Sequence, residues 1–126
     1  MKIKINKYIT FDSTKPPLIV AEISANHNGN KQSFLNHIKQ ASKNGADLVK
    51  IQSYEADDMV IKSYNKAYKI KKGLWKNKNL YNLYKKAQTP FSWHQDAFAL
   101  AKKLGITLFS SPFSSRAVDL LEKCNN

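Results

Sequence analysis

Apolar and polar positions change their period along this chain, and each change marks an element. Across residues 1–17, Ile3, Ile5, Ile9 and Phe11 recur at period two with Lys7 interrupting, and Pro16-Pro17 stops the segment. Such alternation predicts a short strand or hairpin lying against the rest of the domain. Leu18–Ser24 is apolar on nearly every position until Glu22, the pattern of a parallel strand buried on both faces. From Lys31 to Asn44 the period turns helical: Phe34, Leu35, Ile38 and Ala41 share a face, Asn30 suits the N-cap, and Gly45 ends the helix. Ala46–Ser53 alternates again, with Leu48, Lys50 and Gln52 on one face and Val49, Ile51 and Ser53 on the other.

Tyr54–Gln88 is longer than an ordinary connection. It holds nine lysines from Lys62 to Lys86, interleaved with Tyr64, Tyr68, Trp75, Tyr81 and Tyr84. A helix over 79–86 is expected inside it, with Leu80, Leu83 and Tyr84 inward. The lysines read either as a solvated face or as an insertion that draws anions to the domain. Thr89-Pro90 reads as a capping hydroxyl and a first-turn proline, opening a helix with Trp93, Ala97, Leu100, Ala101 and Leu104 inward and Gly105 at its end. Ile106–Ser111 is a third strand, and a last helix buries Ala117, Val118, Leu120 and Leu121 up to about Lys123.

The order is strand–helix, strand–insertion–helix, strand–helix. Repeated units of this kind predict an α/β fold with a parallel sheet and right-handed crossovers. The expected division is an N-terminal strand or hairpin over 1–17 and an α/β domain over 18–126, with the basic insertion at 54–88. Ligands in such sheets bind beyond the C-terminal ends of the strands. Glu22, Lys50, Gln52, Ser110 and Ser111 all belong to that end.

Lys50 is the most informative position. A lysine inside a strand needs a carboxylate, a phosphate or a lowered pKa. Two readings stand side by side: a structural Glu22–Lys50 pair on adjacent strands, and an anion site to which Gln52 and the serine hydroxyls also contribute. His27, in the turn after the first strand, could approach a ligand; His37 is expected on an exposed helix face and His94 in a structural place. The three have no metal-ligand spacing, and the chain has neither a glycine-rich phosphate loop nor a nucleophile–base motif.

Composition narrows the classes further. A net charge of +12 invites nucleic acid as a partner, but groove reading and base stacking lean on arginine, and Arg116 stands alone among the lysines. Nucleic acid is therefore not expected, and a small anionic substrate accounts for the charge equally well. No apolar run reaches the ~20 residues of a membrane span, and the N-terminus has no secretory pattern. One cysteine, Cys124, leaves no internal disulfide framework. The expected location is cytoplasmic.

Five motifs occur in an order that resembles a known family: AEISANHNG (Ala21–Gly29), GADLVKIQSY (Gly45–Tyr54), KGLW (Lys72–Trp75), TPFSWH (Thr89–His94) and LFSSPFS (Leu108–Ser114). They resemble the N-terminal part of the sialic acid synthases, with pseudaminic acid synthase as the nearest branch. The resemblance implies the first three βα units of a TIM (β/α)8 barrel. It also implies a reaction that condenses phosphoenolpyruvate with the open-chain aldehyde of an N-acetylated amino sugar. The product is a nine-carbon 2-keto sugar acid, and phosphate leaves by C–O cleavage. Carried over by position, Lys50, Gln52 and Ser111 hold phosphoenolpyruvate, Glu22 lies near the reacting centre, and Asn26 and His27 lie beside it in the turn.

The family uses a divalent metal, Mn or Mg, on residues that have no counterpart here, so no metal site is expected on this chain alone. It is also a family of homodimers. The sequence stops where the family's fourth strand would begin. Two expectations follow: an N-terminal fragment inactive alone, or half of a split enzyme acting as a binding and assembly module with a separate C-terminal polypeptide.

Overall fold

The computed structural model describes residues 1–124. An antiparallel hairpin comes first, β1 (Lys2–Lys4) paired with β2 (Thr10–Asp12), Ile3 opposite Phe11. Asn6 shapes its turn: the side-chain oxygen accepts from the amides of Tyr8 and Ile9, both at 2.8 Å. The Asn6 amide group donates to Thr107 Oγ1 at 3.0 Å. This bond ties the hairpin to the foot of the third parallel strand, the end opposite the candidate ligand residues. Ile3 and Ile5 stay exposed, so the alternating face of residues 1–17 is covered only at Ile9 and Phe11.

The main sheet contains β3 (Val20–Glu22), β4 (Leu48–Ser53) and β5 (Thr107–Pro112), all parallel, in the order β3-β4-β5. Registers pair Glu22 with Lys50, Lys50 with Phe109, and Gln52 with Ser111. Helix α1 (Lys31–Lys43) follows β3, and α5 (Ser115–Cys124) follows β5. Between β4 and β5 lie α2 (Ala56–Met59), a 3₁₀ turn at Lys66–Tyr68, α3 (Leu80–Ala87), a second 3₁₀ turn at Phe91–Trp93, and α4 (His94–Leu104).

One face of the sheet carries the core. Ile23, Val49, Ile51 and Leu108 pack against Phe34 and Ile38 of α1 and Ala97 and Ala101 of α4. The caps explain why these helices sit where they do. Asn30 accepts from the Ser33 amide at 2.8 Å and begins α1. At the other end the Ala46 amide reaches back to Ala41 O at 3.1 Å, and α4 closes in the same way, Ile106 to Ala101 at 3.1 Å. Gly45 at φ +85° and Gly105 at φ +71° make both reversals, where a Cβ would be strained.

Several expectations change. Leu18–Ser24 shortens to a three-residue strand, and it is an edge strand with Val20 43% exposed. A two-sided apolar pattern looks the same from sequence whether or not both faces find a cover. Thr89 is not a helix cap: Pro90 leads into the 3₁₀ turn, α4 begins only at His94, and the Thr89 hydroxyl faces His27 instead. In α3 the buried residue is Tyr81, with Leu80, Leu83 and Tyr84 only half-buried. In α5 Ala117 is buried while Val118 is exposed. The short helix α2 was unforeseen. Its start is a capping box, Glu55 and Asp58 each reaching the other's backbone, a device confined to one turn.

Candidate functional site

Strand alternation sorts the candidate residues onto two faces. Glu22, Lys50, Gln52, Phe109 and Ser111 lie on the face turned away from the helices, all toward the C-terminal end of the sheet. Lys50 Nζ meets Glu22 Oε2 at 2.8 Å, and the two side chains remain 32% and 35% exposed. The second carboxylate oxygen of Glu22 accepts from the Ser24 amide and hydroxyl, both at 3.1 Å. Ser24 is itself at φ +48°, which folds its donors back onto the acid. The adjacent-strand pair foreseen from the sequence therefore exists. It is a solvated one, worth on the order of 1 kcal/mol or less. Gln52 and Ser111 stand side by side in the register, half-exposed.

Ser110 does not join them. It lies on the helix side, where its hydroxyl is 2.6 Å from Ser53 Oγ and 3.2 Å from the Ile51 carbonyl. The expected convergence of both serines at the ligand face is corrected to Ser111 alone, because neighbours along a strand point oppositely.

The turn after β3 is held by its own polar groups. Asn26 is exposed, and its side-chain amide donates to Ile23 O at 2.9 Å. His27 is fully buried, with its ring edge-on to Phe34 and to Trp93. Its Nδ1 accepts from the Gly29 amide at 3.0 Å, and Nε2 lies 3.2 Å from Thr89 Oγ1. The ligand-facing position expected for His27 is thus replaced by one inside the core. Burial pushes its pKa below the usual imidazole range. His37, expected on an exposed face, is half-buried, and its Nδ1 has no hydrogen-bond partner among the described residues.

Around the same end of the sheet Tyr54, just past β4, is buried edge-on between Tyr84 and Phe113, with centroids 5.9 and 5.7 Å away. Arg116 of α5 bridges Glu55 at 2.8 Å and Asp58 at 2.9 Å, fastening the start of the insertion to the last helix. The insertion's lysines, Lys62 to Lys86, are all exposed. Leu74 and Trp75 of the KGLW motif are exposed with them.

The divalent metal implied by the family resemblance finds no donor set here. Among the described residues no three His, Cys, Asp or Glu side chains gather closely enough to hold an ion. His27 has both ring nitrogens engaged in buried contacts. The described residues do not fit the metal. The face groups a cation, an amide and a hydroxyl beside a carboxylate.

Residues 37–126 match the model of the NeuB family. A pseudaminic acid synthase from Helicobacter pylori is 46% identical over 111 residues, covering 88% of this chain and 33% of that protein. An N,N'-diacetyllegionaminic acid synthase from Legionella pneumophila is 32% identical over 118 residues, 94% of this chain and 33% of that one. The chain therefore spans about a third of the length of the curated relatives it matches. The crystal structure of N-acetylneuraminic acid (sialic acid) synthetase from Leptospira borgpetersenii, in complex with citrate, superposes with a TM-score of 0.76. That match has 22% identity and covers 98% of this chain and 38% of the other, so it speaks to the fold alone. With more than half of its residues matched by the family model, the chain belongs to the NeuB family.

Proposed function

We propose that this chain supplies the phosphoenolpyruvate-binding part of a synthase of the pseudaminic or sialic acid type. The observation that carries the reading is the shared face of Lys50, Gln52 and Ser111, with Glu22 at 2.8 Å from the Lys50 ammonium. Lys50 offers the point charge, and Gln52 and Ser111 offer directional hydrogen bonds that orient a small dianion. Glu22, near enough to compete for the same ammonium, keeps the lysine extended along the face until the anion arrives. The reaction is a carbon–carbon bond formation between phosphoenolpyruvate and the aldehyde of an N-acetylated amino sugar, with phosphate released. Relatives named for making pseudaminic and legionaminic acids support that class.

The uncovered sheet face supports a barrel. Val20 is 43% exposed and Phe109 37% exposed on the side that carries Lys50, the side a closed (β/α)8 barrel turns inward. Closing it needs strands that these 126 residues do not contain. In this reading residues 1–17 plug the foot of the barrel, 18–126 are its opening βα units, and turnover requires the remaining two-thirds of the family's length, in the same or a second polypeptide.

Titrating ¹⁵N-labelled chain with phosphoenolpyruvate tests the binding step. Shifts confined to Glu22, Lys50, Gln52, Ser111 and their neighbours, lost in Lys50→Met, are the expected result. Shifts spread over the lysines of 62–86, unchanged in Lys50→Met, would sink the proposal.

A further inference from the structure

Behind the ligand face runs a line of hydroxyls ending on a buried histidine. Ser53 and His94 are fully buried. His94 Nε2 is 2.7 Å from Ser53 Oγ, and Ser53 Oγ is 2.6 Å from Ser110 Oγ. His94 Nδ1 lies 3.2 Å from the Pro90 carbonyl. These contacts set the direction of the protons. A carbonyl can only accept, so Nδ1 carries the hydrogen, and Nε2 of the neutral ring accepts from the Ser53 hydroxyl. Ser53 then accepts from Ser110, whose hydrogen has the Ile51 carbonyl at 3.2 Å as a second, longer acceptor. Every member is satisfied.

The placement is costly to explain as packing alone. Ser53 and Ser110 occupy positions on the Val49–Ile51–Leu108 face, where small apolar side chains would fill the same space without burying polar atoms. A fully satisfied interior network holds one geometry where apolar contact tolerates several. Here it joins the last residue of β4, the fourth of β5 and the first of α4.

Each hydroxyl stands next in sequence to a ligand-face residue: Ser53 follows Gln52, and Ser110 precedes Ser111. We infer that Ser110, Ser53 and His94 are positioning residues that hold the ends of β4 and β5 in register, so that Gln52 and Ser111 meet the anion together. The inference rests on the phosphoenolpyruvate reading of that face but does not share its test.

Two measurements on the full chain decide it. The first needs no ligand: amide hydrogen exchange at Gln52 and Ser111 in Ser53→Ala, against a control, Ile38→Val, which trims the core away from the strand ends. About tenfold faster exchange at those two amides, absent from the control, is expected. Exchange that rises equally in both variants, or not at all, overturns the inference. The second is phosphoenolpyruvate affinity. Ser53→Ala and His94→Leu are expected to weaken it about tenfold, and His94→Gln, which restores an acceptor near the Nε2 position, to recover part of the loss. Unchanged affinity in Ser53→Ala overturns the inference. Failure of the unaltered chain to bind phosphoenolpyruvate overturns the reading of Lys50, Gln52 and Ser111, and the exchange result then decides the register clamp by itself.

Discussion

Lys50 and Glu22 answer each other at 2.8 Å, yet both are about one-third open to solvent, and that openness sets what each substitution does. Removing Glu22 leaves the ammonium solvated rather than stranded, so Glu22→Gln is expected to change stability by less than about 1 kcal/mol. The same change removes a competitor for the lysine. Inorganic phosphate, titrated by chemical-shift perturbation, is expected to bind several-fold more tightly to Glu22→Gln and not measurably to Lys50→Met. Weaker phosphate binding in Glu22→Gln would show instead that the acid positions the Lys50 ammonium for the anion.

The buried histidines behave differently. Burial lowers the pKa of His27 and His94 below the ordinary 6.5. In the unfolded chain both take up a proton below about pH 6.5, while the folded chain resists, so the unfolded state binds more protons and stability rises with pH there. Urea midpoints are expected to be flat above about pH 7 and to fall as pH drops from 6.5 toward 5. Asp12 and Asp58 also have lowered pKa values, held by the Thr14 amide and the Glu55 amide respectively, and their loss belongs to the window below about pH 4.

At the scale of elements, the α1 N-terminus and the α4 C-terminus are the clearest single-residue dependencies. Asn30→Ala removes the acceptor for the Ser33 amide and is expected to cost about 1 kcal/mol, with Asn30→Asp keeping most of it. Gly105→Ala places a Cβ at φ +71° and is expected to cost a similar amount, about 1 kcal/mol, although the space around it is open. Chemical denaturation measures both. The helical period revealed α1 to within a residue, because Asn30 and Gly45 bracket an amphipathic run. The start of α4 was less legible. Thr89-Pro90 has the local chemistry of a cap, but the Thr89 hydroxyl has a partner 62 residues away in His27, a contact that local pattern does not encode.

Among the described residues, the sheet has one covered and one open face, and Val20 of the edge strand β3 and Ile19 just before it are exposed. Unpaired apolar edges favour association, while a charge of +12 opposes it. Self-association measured by sedimentation velocity is therefore expected to grow with salt, as screening removes the repulsion. Ile19→Lys is expected to suppress it without changing helical circular dichroism. Association that falls with salt would place the contact on charges instead. Among the described residues no helix is long and apolar enough to cross a membrane.

The sequence by itself determined the order of the three parallel strands and their long helices, the parallel sheet, the face shared by Lys50 and Gln52, and the family. These follow from period, capping chemistry and contiguous motifs, all carried by residues close together along the chain. Only the tertiary structure decided which apolar faces found cover and that β3 is an edge among the described residues. It also decided that His27 lies in the core. The physical reason is that burial is a property of what packs against a residue. For Val20, His27 and Ser53 the deciding neighbours, present or absent, lie far away in sequence.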